Sequence, residues 1–329
     1  MFGNKNMIRI VLVLMVLFMI GIGMPLVTVC QADDSYPAKP ITLVIPYGKG
    51  GGSDRTYHAI KPGLDKHLGV ETNIERVGGK GGTVGASFAS KMPADGYHIF
   101  LSPAGPVVIQ PHLRKLDYNY DNFEPICRIT QAPVGFMVNG DSKYNTLQEV
   151  IDDAKANPDK LAYASSGYGT VPHIVMEAFN LATNTKMRHI PQGGGSKKVV
   201  QVVKDGKAQV FADPITMAAV FNLKVLAVFS DQRVPEFPDA PTLKELGINM
   251  TYSLWFGLYA PKGTPQKIIE KLDCACAKSL HEPEVINNMA KEKNTIKYMG
   301  GKELNSFVES EYLKNKKFVA NAGLTGSVK

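Results

Sequence analysis

Four times along this chain a strand-forming run stops, small residues follow, and a helix-forming run begins. The junctions are Gly48–Gly52 in "ITLVIPYGKGGGSDRTYHAI", Gly78–Gly82 in "VGGKGGTVG", Ser165–Gly169 in "YASSGYGT" and Gly193–Gly195 in "IPQGGGSKK". Strands and helices alternating in this way predict an α/β fold with mostly parallel sheets. Glycine carries a conformational-entropy cost, so the glycine-rich run from Gly48 to Gly52 implies a loop whose shape side chains would forbid. In open α/β sheets, ligands bind beyond the carboxyl ends of strands, where loops meet helix starts. Free amides and the partial positive charge of a helix N-terminus favour a carboxylate, sulfonate or phosphate there. The glycines are therefore read as exposing backbone amides to an anion.

The rest of the chain fits the same alternation. "VETNIERV", "HIFLSPA", "KVLAVFS" and "SLWFGLYAP" read as strands. "FEPICRITQAPVGFMVN" is an apolar, β-branched run long enough to pass from one domain into another. "DRTYHAIKPGLDKHLG" reads as a helix that Pro62 is expected to bend or shorten. "TLQEVIDDAKANP" carries a helix start in which Thr146 caps and Glu149 completes a capping box. From Thr264 to Asn321 the pattern is helical, with a short strand-like "TIKYMG" inside it.

The 329 residues suffice for two domains, and 44% apolar with 20% charged residues is a globular composition. The first 32 residues differ. Lys5 and Arg9 precede the apolar run "IVLVLMVLFMIGIGMPLVTV", and Cys30-Gln31-Ala32 closes it, which predicts a signal peptide cleaved after Ala32. The run is also long enough for an uncleaved anchor. A lipoprotein signal at Cys30 is the other alternative, although Val29 replaces the small residue it would want. Loss of Lys5 and Arg9 lowers the formal net charge of +7 by two, a mild balance without the Lys/Arg clusters of a nucleic-acid binder. Cleavage leaves Cys127, Cys274 and Cys276, an odd number that precludes a fully paired framework. Cys274 and Cys276 are two apart in an expected helix and do not face each other. All three read as small buried residues.

Enzyme chemistry finds little support. Neither "GKGGGSD" nor "GGGSKK" supplies a phosphate-binding P-loop, and "GGKGGTVG" has Val84 where a dinucleotide fingerprint needs its third glycine. "GASFA" is a poor imitation of a nucleophile elbow. The histidines and cysteines lack metal-ligand spacing, so neither cofactor nor metal is expected. His173 follows a small-residue loop, where a polar ligand contact or a cap are both open readings. Asp213 ends a strand, where it either accepts from a ligand amine or hydroxyl or caps the next helix.

Those segments also carry a resemblance. "YPAKPITLVIPYGKGGGSD" resembles the opening of the Bug family, the extracytoplasmic solute receptors of tripartite tricarboxylate transporters, whose members begin Y-P-x-[KR]-P-[IV] and continue P-[FY]-x-x-G-G-x-x-D. "MPADGYHIFLSPAG", "YNYDNFEPI", "LAYASSGYGTVPH", "VFSDQRVPEFPDAPTLKELG" and "WFGLYAPKGTP" resemble later family segments, in order, over essentially the whole mature chain. The resemblance implies a two-lobed, Venus-flytrap periplasmic-binding-protein fold of type II-like form, with a cleft for a small carboxylate. It divides the chain into residues 36–128 plus 253–329 and residues 129–252. The ligand-binding positions it implies are Gly51, Gly52, Ser53, Asp54, Gly81, Gly82, Ser102 and Ala104 from the first lobe. From the second lobe they are Ser165, Ser166, Gly167, Thr170, His173, Gly194 and Asp213.

Three departures bear on specificity. Lys49 stands where the family has proline. Arg76, Gly78 and Lys80 alter the usual N-[RK]-P-G-A-G-G loop, and Ile190-Pro191-Gln192 replaces V-P-[YF], losing an aromatic wall. Lys49 and Lys80 are the candidates for charge selectivity toward a di- or tricarboxylate if they face the cleft. The implied function is that of a monomeric receptor that binds an organic anion and no nucleic acid, and delivers the anion to membrane permease subunits. A stand-alone sensory receptor passing its signal to a membrane protein is the alternative, and a secreted enzyme a third for which no nucleophile–base pair is seen.

Overall fold

A computed structural model describes residues 35–326 apart from Gly194. The expected signal segment, residues 1–32, lies outside them. The first strand, β1 (Ile41–Ile45), has a nearly continuous buried pattern, as a central parallel strand should. It pairs in parallel with β2 (Thr72–Arg76) on one side and β3 (His98–Pro103) on the other. Between β1 and β2 runs helix α1 (Gly52–Leu68), closed by Gly69 in the left-handed conformation with its N–H on the Asp65 carbonyl. Helix α2 (Thr83–Ser90) follows β2, and two short helical segments, Gly105–Ile109 and Gln110–Leu113, follow β3.

The long run expected to cross between domains forms a single strand, β4 (Phe123–Asn139). Its pairing changes along its length. Residues Phe123 to Pro133 pair antiparallel with β9 (Ser253–Pro261), and Val134 onward pairs with β7 (Val210–Pro214) and β8 (Leu223–Val228). The sheet order is β2-β1-β3-β9-β4-β7-β5-β6, with β8 and β10 (Ile296–Gly300) also on β4. Strands β5 (Ala162–Ser165) and β6 (Arg188–Pro191) complete a second parallel group. Helix α3 (Leu147–Ala156) follows β4, and its capping box is as the sequence predicts. Thr146 Oγ1 accepts from Glu149 N–H at 3.2 Å and Glu149 Oε2 from Thr146 N–H at 3.3 Å. Helices α4 (Val171–Thr183), α5 (Ser196–Lys204) and α6 (Thr216–Phe221) belong to this second group, while α7 (Gln266–Ser279), α8 (Pro283–Lys291) and α9 (Gly301–Asn321) return to the first.

One large apolar cluster, holding Phe100, Tyr259, Phe136 and Tyr163, spans both groups, and each group also has a cluster of its own. Ile41, Leu43, Ile45, Tyr57, Ile60, Leu272 and Val285 bury together in the first, and Met137, Ala164, Val199, Val203 and Phe211 in the second.

Two sequence expectations are corrected here. Of the two effects expected of Pro62, shortening does not occur: α1 runs through it for 17 residues. The apolar face of Tyr57, Ile60 and Leu64 is buried on both sides of the proline, and tertiary packing of that face outweighs the one lost backbone bond. Cys127 and Cys276 are buried, as expected, but they also form a disulfide, with Cα atoms 6.9 Å apart. The partner of Cys276 comes from a strand 149 residues earlier, on which α7 packs, so its spacing from Cys274 was uninformative.

Candidate functional site

The loops after β1, β2, β5 and β6 converge on one cavity of about 420 Å³, closed on one side by Leu254 and Phe256 of β9. Its wall includes Gly51, Gly52 and Ser53 from the first loop, Gly81 and Gly82 from the second, Ser166, Gly167 and Thr170 from the third, and Gly193, Gly195 and Ser196 from the fourth. Helices α1, α2, α4 and α5 all begin here, and none has a side-chain hydrogen bond at its N-cap. No side-chain cap competes for the amides at these ends, where the positive ends of the helix dipoles gather.

Close packing explains two of the glycines. A Cβ on Gly52 would lie 3.0 Å from the Phe256 ring, so a side chain there fills the space where loop and aromatic wall meet. Gly81 has φ +68°, and a Cβ would come within 2.3 Å of Gln110 Nε2 and 2.9 Å of the Tyr168 carbonyl. Tyr47 spans the same place, donating to the Gly81 carbonyl at 3.1 Å.

Several expected ligand contacts sit one layer behind the wall and shape it. Asp54, 4% exposed, accepts from Gly50 N–H at 2.7 Å and from Arg76 Nε and Nη2 at 2.8 and 2.6 Å. Burial works against its charge, but the Gly50 amide and the Arg76 guanidinium together hold its carboxyl below the usual range. Arg76, the departure from the family's asparagine, thus ties the first loop to the strand that leads into the second. Ser102 is fully buried, its hydroxyl donating to the Pro103 carbonyl at 2.9 Å, and Ala104 is buried as well. Their neighbours Pro103 and Gly105 reach the cavity instead.

The third loop is braced similarly. Ser165 Oγ accepts from Gly167 N–H at 3.1 Å and lies 2.6 Å from His189 Nε2. His173 Nδ1 accepts from Gly169 N–H at 3.2 Å, and Thr170 donates to the Gly167 carbonyl at 2.7 Å. The rings of His173 and His189 stack with centroids 4.3 Å apart, and Tyr163 stacks on His189 at 4.8 Å. Burial pushes His173 down to about 4, and burial with the neighbouring imidazole pushes His189 down to about 3, so both are neutral near pH 7. Gly194 lies outside the described residues.

Asp213 stands apart from the expected contacts that sit behind the wall. It is 2% exposed, lines the cavity, and its Oδ2 lacks a hydrogen-bond partner among the described residues. It does not cap the next helix, which starts after Ile215 without a side-chain cap. Burial raises its carboxyl to about 7 against the smaller opposing effects of the Ser196 hydroxyl and the Arg55 charge. Ser53 Oγ is the other buried cavity-lining side-chain atom without a partner among the described residues.

Lys49 and Lys80 both line the cavity and are exposed, placed at its rim. The residues that sequence reasoning missed are chiefly apolar: Tyr47, Leu254 and Phe256. Leu254 and Phe256 alternate along β9, so the period-2 pattern puts them on one face, but nothing local marks that face as a ligand wall. Three or more histidine, cysteine or acidic side chains do not gather into a metal-binding group among the described residues, and no helix there is long and apolar enough to cross a membrane.

Two groups of strands sharing β4, with opposed glycine loops around one cavity, define a solute-binding protein of the two-lobed periplasmic type. The profile of the family described as "Tripartite tricarboxylate transporter family receptor" matches residues 56–324, and the chain belongs to that family. The family is one of receptors rather than enzymes. The chain is similar to BugT of Bordetella pertussis, 31% identical over 272 residues, covering 80% of this chain and 82% of that protein. It is also similar to the solved periplasmic binding protein BugD, at 27% identity and a TM-score of 0.79, covering 88% and 99% of the two chains. MatC from Rhodopseudomonas palustris, solved with bound malate, is 25% identical with a TM-score of 0.78, covering 86% of this chain and 100% of its own.

Proposed function

We propose that this protein is an extracytoplasmic receptor that captures a small di- or tricarboxylate between two lobes and delivers it to the permease subunits of a tripartite tricarboxylate transporter. The observation that carries this reading is the convergence of four uncapped helix N-termini and their glycine loops on one cavity. Amides and helix dipoles arranged in this way favour negative charge from every side. The malate bound by a family relative supports a carboxylate as the ligand class.

In this reading the lobes are residues 36–128 with 253–329, and residues 129–252. The change of partners between Pro133 and Val134 on β4 supports a boundary between them there. An anion touching loops of both lobes stabilises the closed arrangement by its differential affinity for it. Gly51, Gly52, Ser53, Gly81, Gly82, Ser166, Gly167 and Thr170 contact the ligand. Asp54, Ser165 and His173 hold the loops, and the rim lysines meet a second carboxylate.

A thermal-shift screen against a panel of small anions tests this. A ligand that binds only the folded state raises the midpoint by mass action. The expected hits are di- and tricarboxylates. Hits confined to nucleotides or metal ions would overturn the reading.

A further inference from the structure

The cavity holds one group that contradicts its general character. Apart from Asp213, every polar side chain lining it that is described is a hydroxyl or a cation: Tyr47, Ser53, Ser166, Thr170, Ser196, Lys49 and Lys80. The hydroxyls of Tyr47 and Thr170 are already committed to the Gly81 and Gly167 carbonyls, so the cations and the remaining hydroxyls are what favour a ligand rich in acceptors. Asp213 would repel such a ligand if it were ionised, yet it lines the same space and its buried Oδ2 has no hydrogen-bond partner among the described residues.

The groups around Asp213 do not compensate a charge on it. Strand β4 opposes it with Gly135, and β9 faces the cavity with Leu254 and Phe256. Helix α4 brings Val171 and Pro172, and α5 brings the Ser196 hydroxyl. Arg55 of α1 is the cation whose field reaches it, but its Nη1 donates to the Gly50 carbonyl at 2.7 Å and its Nε pairs with Glu292 at 2.9 Å. Lys49 and Lys80 stand at the rim. The Ser196 hydroxyl and the Arg55 charge favour ionisation, and burial opposes it and prevails.

We propose that Asp213 binds the ligand as a neutral carboxylic acid, its free oxygen donating a hydrogen bond to a ligand carboxylate, so that one proton is held between protein and anion. This inference rests on the organic-anion reading above. Two acidic groups in contact cannot both ionise at little cost, so the arriving anion fixes the proton on Asp213. Where the free protein has lost that proton, it is taken from solvent on binding. Affinity therefore falls as pH rises through and above neutrality. Ligands whose contacting group is an ammonium or hydroxyl donor are disfavoured relative to carboxylates.

The test uses malate and adipate as probes, between pH 6.5 and 8.5, on the full protein and on Asp213→Asn. The asparagine amide keeps the shape and a donor but does not titrate. For the natural protein the expected result is roughly tenfold weaker binding per pH unit once the acid is ionised. Calorimetry in buffers of different ionisation enthalpy should show net uptake approaching one proton per ligand at the alkaline end. Asp213→Asn should bind at all these pH values close to the natural protein's affinity at pH 6.5, with no proton uptake. A folded Asp213→Asn that no longer binds at pH 6.5, or a natural protein whose affinity is flat or rises with pH, would overturn the proposal.

Should neither probe bind at any pH, the dicarboxylate reading fails for those probes, and the ligand-free proteins decide the Asp213 claim. An acid raised in the folded state holds its proton there above the unfolded value, so stability falls as pH rises toward about 7. The thermal midpoint of Asp213→Asn should therefore gain on the natural protein between pH 5 and 8.5, by roughly a few degrees. An unchanging gap would sink the proposal.

Discussion

The loops on the two sides of the cavity do the same work with opposite chemistry. On the β1–β2 side, glycine loops are fixed by charge: Asp54 accepts from a loop amide and from Arg76, and two lysines stand at the rim. On the β5–β7 side, loops are fixed by neutral groups: Ser165, Thr170 and two stacked histidines stripped of charge by burial. The side that supplies net positive charge is the partly exposed one, where water lowers the cost of isolated cations. The buried side shapes amides without burying charge. An anion would thus be attracted by one wall and fitted by the other.

That contrast breaks most completely at Gly52. Gly52→Leu puts a side chain where a Cβ alone already sits 3.0 Å from Phe256. The protein should stay folded, because Gly52 lies at the cavity wall rather than in the core, while affinity for any carboxylate ligand falls at least about 100-fold, or ~3 kcal/mol, because the side chain occupies ligand space. Titration calorimetry with a circular-dichroism control checks it, and retained affinity would remove the first loop from the site.

Acid should separate the two walls next. His173 and His189 are held at about 4 and about 3, below the ordinary value near 6.5. Their contribution is intact above pH 6.5 and is lost as pH falls through the folded values, at up to ~1.4 kcal/mol per pH unit for each histidine. Amide exchange in residues 165–170 should accelerate between pH 6.5 and 4, after correction for intrinsic rates, more than in residues 48–54. On the other wall Asp54 stays ionised through most of that window, because its carboxyl lies below the usual range. Equal acceleration on both sides would mean the histidines are not what braces the third loop.

The smallest effect is expected at the rim. Lys49→Ala should weaken a dicarboxylate a few-fold and a monocarboxylate less, as a charge-assisted contact at an exposed position would. Equal weakening of both would assign the lysine to the general field of the cavity.

The sequence carried much of this architecture because its signals are local. β4 begins and ends where its β-branched run does, and Thr146 and Glu149 cap α3 as their spacing demands. The glycine junctions located the cavity for the same reason, since a loop that excludes Cβ atoms is visible as glycine. The remainder depends on distant partners. Pro62 stays helical because of packing on both sides of it, and Cys276 bonds a strand residue 149 positions away. Asp54, Ser102, Ser165 and His173 are polar residues at the strand ends and helix starts that flank the site loops, and only the fold shows that their hydrogen bonds turn inward. Phe256 is a wall because β9 crosses beneath the first loop, which no pattern within β9 announces.

Closure on an anion is the central claim, and small-angle X-ray scattering of the protein with and without a saturating di- or tricarboxylate measures it most directly. The expected result is a smaller radius of gyration on binding in the natural protein and no change in Gly52→Leu under the same conditions. A ligand that binds tightly while leaving the radius unchanged, or that still compacts Gly52→Leu, would contradict capture between two lobes.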